Sequence, residues 1–114
     1  MSAPVIVAAA RSAIGTAGRS LAGVTADQLA GPVLAATLDR SGLAPEDVSD
    51  VVLGNCMGPG GDVARSASLA AGLPVTVAGM SVDRQCASGL MAIATAAKQV
   101  ILDGQQVAVG GGVD

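Results

Sequence analysis

The chain has 114 residues, 51% of them hydrophobic and 13% charged, so it is long enough for one globular domain and too apolar for intrinsic disorder. A net charge of −3, scattered basic residues and the absence of Phe, Tyr and Trp argue against a nucleic-acid partner, because no basic stripe or stacking surface is available. Without aromatic residues, the core must consist of small aliphatic side chains. Such a core favours extensive contact between layers, as in a piece of a larger layered protein.

The sequence also bears on location and on metal binding. The longest uncharged stretch, residues 66–82, is interrupted by glycine and proline and is too short for a membrane helix of about 20 residues. The apolar start "MSAPVIVAAAR" has no basic residue ahead of it, so we predict no secretory signal, no membrane association and a cytoplasmic protein. The two cysteines, Cys56 and Cys86, fit no zinc spacing in a chain without histidine, and a disulfide between them would require an oxidising compartment.

The first elements combine an apolar run with a periodic pattern. The run "PVIVAAA" (4–10) predicts a buried first strand. Thr25 is a good N-cap for a helix whose apolar residues recur at helical spacing as far as Leu38. Gly42 is a plausible stop, and Pro32 predicts a kink because an interior proline removes a helical hydrogen bond.

The remaining elements alternate in type. A helical turn is expected at Pro45. The patterns then predict a strand, a helix, a strand, a helix and a strand, at residues 51–55, 63–71, the end of 74–82, 87–103 and 106–110. The order β-α-β-α-β-α-β predicts an α/β fold, with a parallel sheet, right-handed crossovers and helices on both faces.

The last predicted helix has no clear solvent face. Its segment "GLMAIATAA" (89–97) contains no charge and one hydroxyl, and a helix that is apolar all round is normally buried on all sides. Few elements of a chain this short could surround it unless a second sheet lies against it. Composition and pattern therefore both suggest half of a larger structure.

The stretch around Cys86 is the strongest candidate for chemistry. Cys86 is predicted to lie just after a strand and at the start of that helix, where free N–H groups and the helix dipole favour a thiolate. The same N–H groups could face an oxyanion, and the small neighbours Ala87, Ser88 and Gly89 would let a substrate approach. The alternative is a packed thiol, since a lone cysteine in an apolar chain usually belongs to the core.

Other features carry weaker signals. Cys56 follows Asn55 at a strand end with no helix start behind it, which favours core or loop packing. The loop "GPGGD" lacks the pattern of a phosphate-binding loop. The terminal "GGGVD" follows a strand as a cofactor loop would, yet no helix follows it, so we expect it to mark a cut.

Several segments, taken in order, carry a family resemblance. They are "VIVAAARSAIG" (5–15), "SLAGVTADQL" (20–29), "DVVLGN" (50–55), "ARSASLAAGLP" (64–74), "DRQCASGLMAI" (83–93) and "VAVGGGVD" (107–114). Together they resemble the amino-terminal part of a thiolase. That family comprises acetyl-CoA C-acyltransferases, which make or cleave 3-ketoacyl-CoA.

The resemblance implies half of a five-layer αβαβα fold over residues 1–114, with the carboxy-terminal half absent. It implies that Cys86 accepts the acyl group as a thioester and that its backbone N–H faces the oxyanion. Substrates would be coenzyme A thioesters, with no bound cofactor. The family's histidine and second cysteine come from the carboxy-terminal half, and Cys56 does not match that cysteine.

The resemblance also has departures. The family often has proline where Ala13 stands, asparagine near Asp62 and glutamate at Asp114. These differences affect what can be expected of the surrounding loops and leave the family resemblance intact.

Two functional hypotheses follow. The chain is the amino-terminal part of a thiolase, truncated or one segment of a split enzyme, and is inactive alone. Alternatively, it is a non-catalytic module that assembles with itself as a homo-oligomer or with a carboxy-terminal thiolase partner. A redox-active cysteine ranks below both, because no C-x-x-C motif is present.

Overall fold

Three parallel strands form the centre of a computed structural model that describes residues 3–114. The elements in chain order are α1 (Ala26–Ser41), a 3₁₀ turn (Pro45–Asp47), β1 (Asp50–Gly54), α2 (Val63–Ala70), β2 (Ala78–Val82), α3 (Ser88–Leu102) and β3 (Ala108–Gly112). The α/β class, the parallel sheet and the predicted elements from α1 onward are confirmed.

The sheet order places helices on both faces. The order is β2-β1-β3, and Gly54 at the end of β1 stands opposite Val82 of β2 and Gly112 of β3. The crossover through α2 runs from β1 to β2, and the crossover through α3 runs in the opposite direction, from β2 past β1 to β3. Because both follow the right-handed rule, the two helices lie on opposite faces. All three strands therefore end along one edge.

Local sequence signals set the ends of α1. The backbone N–H of Thr25 donates to Gln28 Oε1 at 3.1 Å, which is one arm of a capping box. At the other end Gly42 adopts a left-handed conformation (φ 71°), and its N–H donates to the Asp39 carbonyl. Pro32 is accommodated inside the helix.

One face of the sheet, which we call the closed face, is covered by both α1 and α2. Its core consists of aliphatic residues from the two helices, the sheet and the connecting loops: Leu34, Leu38, Val48, Val51, Leu53, Ala64, Ala67, Leu73 and Val77. Gly79 lets α2 approach β2, since a Cβ there would lie 2.7 Å from Arg65 N. The Arg65 guanidinium in turn donates to the Val77 carbonyl at 2.7 Å and ties α2 to the segment before β2.

The other face, which we call the open face, is covered by α3 alone. Gly54 and Gly110 allow α3 to lie almost on the sheet: a Cβ at Gly54 would lie 2.6 Å from Gly89 N, and one at Gly110 would lie 2.7 Å from Ile93 Cα. Asp50 of β1 anchors the far end of α3, because its Oδ2 accepts a 2.7 Å hydrogen bond from Gln99 Nε2. Glycine thus takes the place of large side chains at this contact.

The strand predicted over residues 4–10 is wrong for this structure. These residues form no strand, and Val5, Ile6 and Val7 are 78%, 83% and 64% exposed. An apolar segment becomes a strand only when its N–H and C=O groups pair with a neighbour. Among the hydrogen bonds of the described residues, this segment takes part in one, from the Arg40 guanidinium to the Ala9 carbonyl at 3.0 Å.

The expectation that the last helix is buried on all sides is also not met within these residues. Only Ser88, Ala92 and Ala96 of α3 are buried. Its large exposed apolar residues, which we call the outer residues of α3, are Leu90, Ile93 and Leu102, with exposures of 73%, 46% and 71%. The sheet covers one side of the helix, and no other described element covers the opposite side. No helix within residues 3–114 has the length and apolar character that a membrane crossing requires.

Candidate active site

The carboxyl ends of the three strands gather the chemically interesting residues. Beyond the regular ladders, the Asn55 N–H donates to the Val82 carbonyl at 3.0 Å and the Val113 N–H donates to the Gly54 carbonyl at 2.9 Å. The Asn55 side chain also donates to the Val113 carbonyl at 2.7 Å, so it links the loops after β1 and β3. Crevices at the carboxyl ends of parallel strands are the usual ligand sites of α/β sheets.

Cys86 lies in the short turn between β2 and α3, and side chains at both ends of the turn hold it. Asp83 Oδ1 accepts from the Gln85 N–H at 3.0 Å. The buried Ser88 hydroxyl accepts from the Arg84 N–H at 2.7 Å and donates to the Gln85 carbonyl at 2.6 Å. The turn that carries Cys86 is therefore set by hydrogen bonds within residues 83–88.

These bonds keep Gln85 in an unfavourable backbone conformation. Its φ is 51°, the left-handed region that non-glycine residues enter at a cost of about 1–2 kcal/mol. Such conformations persist where the surroundings over-determine them, and they cluster at functional sites. Cys86 follows directly and its side chain is exposed. The packed-thiol alternative for Cys86 is therefore not supported.

The start of α3 differs by one residue from the predicted start. Ala87 is the N-cap and Ser88 the first helical residue, so Cys86 precedes the helix by two positions. The N–H groups of Ala87 and Ser88 already donate to the carbonyls of Arg84 and Gln85. A Cβ at Gly89 would lie 3.8 Å from Gly112 Cα, so Gly89 lies on the side of α3 that faces the sheet.

Cys56 lies at the same edge of the sheet, in the loop after β1, and a carboxylate holds it. The half-buried thiol donates to Asp114 Oδ2 at 3.2 Å. Asp114 Oδ1 accepts from the N–H groups of Cys56 and Met57 at 3.1 and 2.9 Å, and from Asn55 Nδ2 at 3.1 Å. Loop packing, as predicted for Cys56, is confirmed.

The electrostatics of this cluster act on the two partners in opposite directions. The hydrogen bond to Asp114 is the main cause that raises the pKa of Cys56 above its ordinary 9.0; burial and the charges of Asp114, Asp83 and Cys86 add to the rise. The Met57 N–H is the main cause that lowers the pKa of Asp114 below 3.8; burial opposes it, and the thiol and the N–H of Cys56 lower it further. Cys56 is thus held as a thiol and Asp114 as a carboxylate.

The connection among Asn55, Cys56 and Asp114 was not predicted from the sequence. The available signal was the position of Asn55 and Asp114, each of which follows a predicted parallel strand, and such strands end at a common edge. Asp62, noted only as a departure, caps α2: its Oδ1 accepts from the Arg65 N–H at 3.3 Å and from the Ser81 hydroxyl at 2.8 Å.

Two cavities lie away from this edge. One open cavity of about 780 Å³ lies beside Arg11 and Arg40, and a smaller one of about 150 Å³ lies between α1 and Leu73; neither borders Cys86. The described part of the chain contains no group of three His, Cys, Asp or Glu side chains that could hold a metal ion.

Comparison with known proteins identifies the family. Residues 4–114 match the family described as "Thiolase, N-terminal domain". The chain belongs to the thiolase family. It is 42% identical over 110 residues to the acetyl-CoA acetyltransferases of Cupriavidus necator and of Thiocystis violacea, a match that covers 95% of this chain and 28% of each relative.

A solved thiolase structure has the same fold over this region. The crystal structure of the Bacillus anthracis acetyl-CoA acetyltransferase superposes with a TM-score of 0.92 and 47% sequence identity, over 95% of this chain and 28% of that one. The chain therefore spans less than a third of the length of these thiolases.

Proposed function

We propose that this chain supplies the acyl-accepting cysteine of a thiolase-type acyltransferase, which moves an acyl group between acyl-CoA and acetyl-CoA or CoA through a thioester on Cys86. The observation that carries the proposal is the exposed Cys86 on a hydrogen-bonded turn at the carboxyl end of β2, ahead of α3. Family membership and the similarity to acetyl-CoA acetyltransferases support the same reaction class.

The chemistry proposed for Cys86 is nucleophilic substitution at a thioester. The Cys86 thiolate attacks the acyl carbonyl, the carbonyl–sulfur bond of the acyl-CoA breaks, and CoA leaves with the proton that Cys86 gave up. The Cys86 backbone N–H would stabilise the oxyanion. The chain contains no histidine, so a histidine base must come from outside these residues. We expect negligible turnover by the 114-residue chain alone, and completion of the site by a carboxy-terminal thiolase partner.

Intact-mass and peptide mass spectrometry after incubation with acetyl-CoA test this proposal. The chain is incubated alone and together with the carboxy-terminal part of a thiolase, and the matched variants are Cys86→Ala and Cys56→Ala. We expect acetylation in the presence of the partner, at Cys86, abolished by Cys86→Ala and retained in Cys56→Ala. Robust turnover by the pure chain would contradict its inactivity, and acetylation that survives Cys86→Ala would exclude Cys86 as the acceptor.

The exposed outer residues of α3 favour a second candidate function, assembly without catalysis. Leu90, Ile93 and Leu102 expose a large part of their apolar surface on one helix, which is typical of a surface that binds another protein. On this hypothesis the chain associates with itself or with a carboxy-terminal thiolase partner through α3.

Sedimentation over a range of concentrations tests the assembly hypothesis. We expect self-association that Leu90→Glu weakens and that Val75→Glu, which places the same charge at a 76% exposed residue outside α3, leaves unchanged. A chain that stays monomeric at high concentration would count against self-assembly.

A further inference from the structure

Two thiols share the edge of the sheet at which the proposed reaction takes place. Cys56 follows β1 and Cys86 follows β2, and the two strands are direct neighbours with Gly54 opposite Val82. A reactive acyl thioester that reaches this edge therefore meets two possible nucleophiles.

The surroundings of the two thiols differ in one decisive respect. Cys86 is exposed, whereas Cys56 is half-buried and its S–H points at a carboxylate oxygen 3.2 Å away. Asp114 cannot turn away easily, because its other oxygen accepts from the backbone N–H groups of Cys56 and Met57 and from Asn55 Nδ2. A carboxylate fixed in this way stabilises the protonated thiol and repels a thiolate.

We propose that Asp114 determines which thiol reacts: by accepting the S–H hydrogen bond of Cys56 it keeps that thiol protonated and confines acyl transfer to Cys86. In the suppressed reaction, the Cys56 thiolate would attack the acyl carbonyl, the carbonyl–sulfur bond to CoA would break, and CoA would carry off the proton. That step first requires the loss of the Cys56 proton, which Asp114 prevents. The proposal rests on the proposed function for its acyl donor only.

The raised pKa of Cys56 agrees with this geometry. The carboxylates that act on Cys56 come from the two neighbouring loops: Asp114 after β3 and Asp83 in the turn after β2. Asp83 is unsuitable for a test because it also fixes the Cys86 turn through the Gln85 N–H. Asp114 makes no hydrogen bond to that turn.

Ultraviolet titration of the Cys56 thiolate tests the first part directly. The chain has no Phe, Tyr or Trp, so thiolate absorbance can be followed without an aromatic background. In a Cys86→Ala background, Cys56 is the only thiol. We expect Asp114→Asn to lower the titration midpoint by about one unit, which is a tenfold change in the ionisation constant. Asp114→Glu should keep most of the shift, and Asp39→Asn, which removes one charge from α1, should have no effect.

An unchanged midpoint in Asp114→Asn, with helix content equal to the parent by circular dichroism, would overturn the proposal. If Asp114→Asn does not fold, Asp114→Glu still decides, because the proposal requires a raised midpoint as long as a carboxylate remains in reach. A midpoint at the ordinary cysteine value in folded Asp114→Glu and in the parent would also overturn it.

Acetyl mapping tests the consequence for selectivity. The wild-type cysteines are retained, acetyl-CoA and the carboxy-terminal thiolase part are added, and peptide mass spectrometry measures the ratio of acetyl on Cys56 to acetyl on Cys86. We expect Asp114→Asn to raise that ratio about tenfold at neutral pH, because the thiolate fraction rises by that factor per unit. An unchanged ratio together with a lowered midpoint would refute the role in selectivity. Absence of Cys86 acetylation in wild type would instead refute the proposed function and leave the Cys56 titration as a separate result.

Discussion

The closed and open faces of the sheet are held together by different means. On the closed face, α1 and α2 bury leucine and valine side chains such as Leu34, Leu38 and Val51. On the open face, α3 lies against glycine backbone and buries only Ser88, Ala92 and Ala96. The closed face therefore contributes most of the hydrophobic stabilisation, and the open face contributes a close backbone contact that orients the turn carrying Cys86.

The difference explains how a chain without aromatic residues can fold while one of its helices keeps apolar side chains exposed. Small residues between α3 and the sheet let the helix axis come close, which fixes its position although little apolar area is buried. Large apolar residues of α3 that do not fit between the helix and the glycines of the sheet stay exposed. Truncation of side chains should therefore lower the free energy of unfolding on the closed face, and enlargement of side chains should lower it on the open face.

Removal of a large side chain should have the largest effect, and only on the closed face. Leu34 is 5% exposed, so Leu34→Ala should lower the free energy of unfolding by about 2–5 kcal/mol, whereas Leu90→Ala, at a 73% exposed residue, should change it by less than about 0.5 kcal/mol. Urea denaturation measures both. Equal losses would mean that the outer residues of α3 are covered in solution and would remove the distinction between the two faces of the sheet.

Addition of a methyl group should destabilise the open face more than the closed face. A Cβ at Gly54 would collide with the Ser88 carbonyl carbon and lie 2.6 Å from Gly89 N, so Gly54→Ala should cost about 1–3 kcal/mol by overpacking. Gly111→Ala is the control, because its Cβ would meet only a Leu53 methyl carbon at 3.4 Å on the closed face. Equal melting temperatures of the two variants would show that Gly54 is not required for the close contact between α3 and the sheet.

Loss of the Ser88 hydroxyl should have a smaller, more local effect. Ser88→Ala leaves the Arg84 N–H without its partner at the start of α3 and should cost about 1–2 kcal/mol. Gln85→Gly, which accepts the left-handed φ without strain, should recover part of that loss in the double variant. Denaturation gives the stabilities, and iodoacetamide alkylation of Cys86 reports on the turn. Absence of any coupling between the two sites would argue against a shared role in holding the turn.

Acidification should produce the smallest effect. The pKa of Asp114 is lower in the folded chain than its ordinary 3.8, so the carboxylate stabilises the loop above that value and the stabilisation is lost as pH falls through the folded pKa. Because Asp114 is exposed, we expect less than about 1 kcal/mol. The protection of the Cys56 and Met57 amides against hydrogen exchange, taken relative to the intrinsic rate at each pH, should decrease. The same pH profile in Asp114→Asn would show that another group is responsible.

Much of the fold could be predicted because its signals are local. Thr25 and Gly42 bound α1 in the structure as in the sequence pattern, and alternation of strands with helices implied a parallel sheet. The prediction for residues 4–10 failed because an apolar run shows only that a segment can be buried. Whether it becomes a strand depends on a neighbouring strand with free N–H and C=O groups. The sequence of residues 4–10 does not show whether such a neighbour exists.

The candidate site also has one part that the sequence predicted and one part that it did not. Cys86 could be singled out because the end of a strand, the start of a helix and small neighbours lie together in the sequence. The contacts of Cys56 with Asp114 could not, because 58 positions separate the two residues and only the register of β1 with β3 brings them together.

The sequence by itself determined the helices from α1 onward, the parallel α/β class and the position of Cys86 ahead of α3, since each depends on residues close together in the chain. Only the tertiary structure decided that α3 lies on glycine with an apolar face exposed, and that the Cys56 thiol is held by Asp114. Both depend on which strands are neighbours, and strand pairing arises from contacts between distant parts of the chain that no local pattern records.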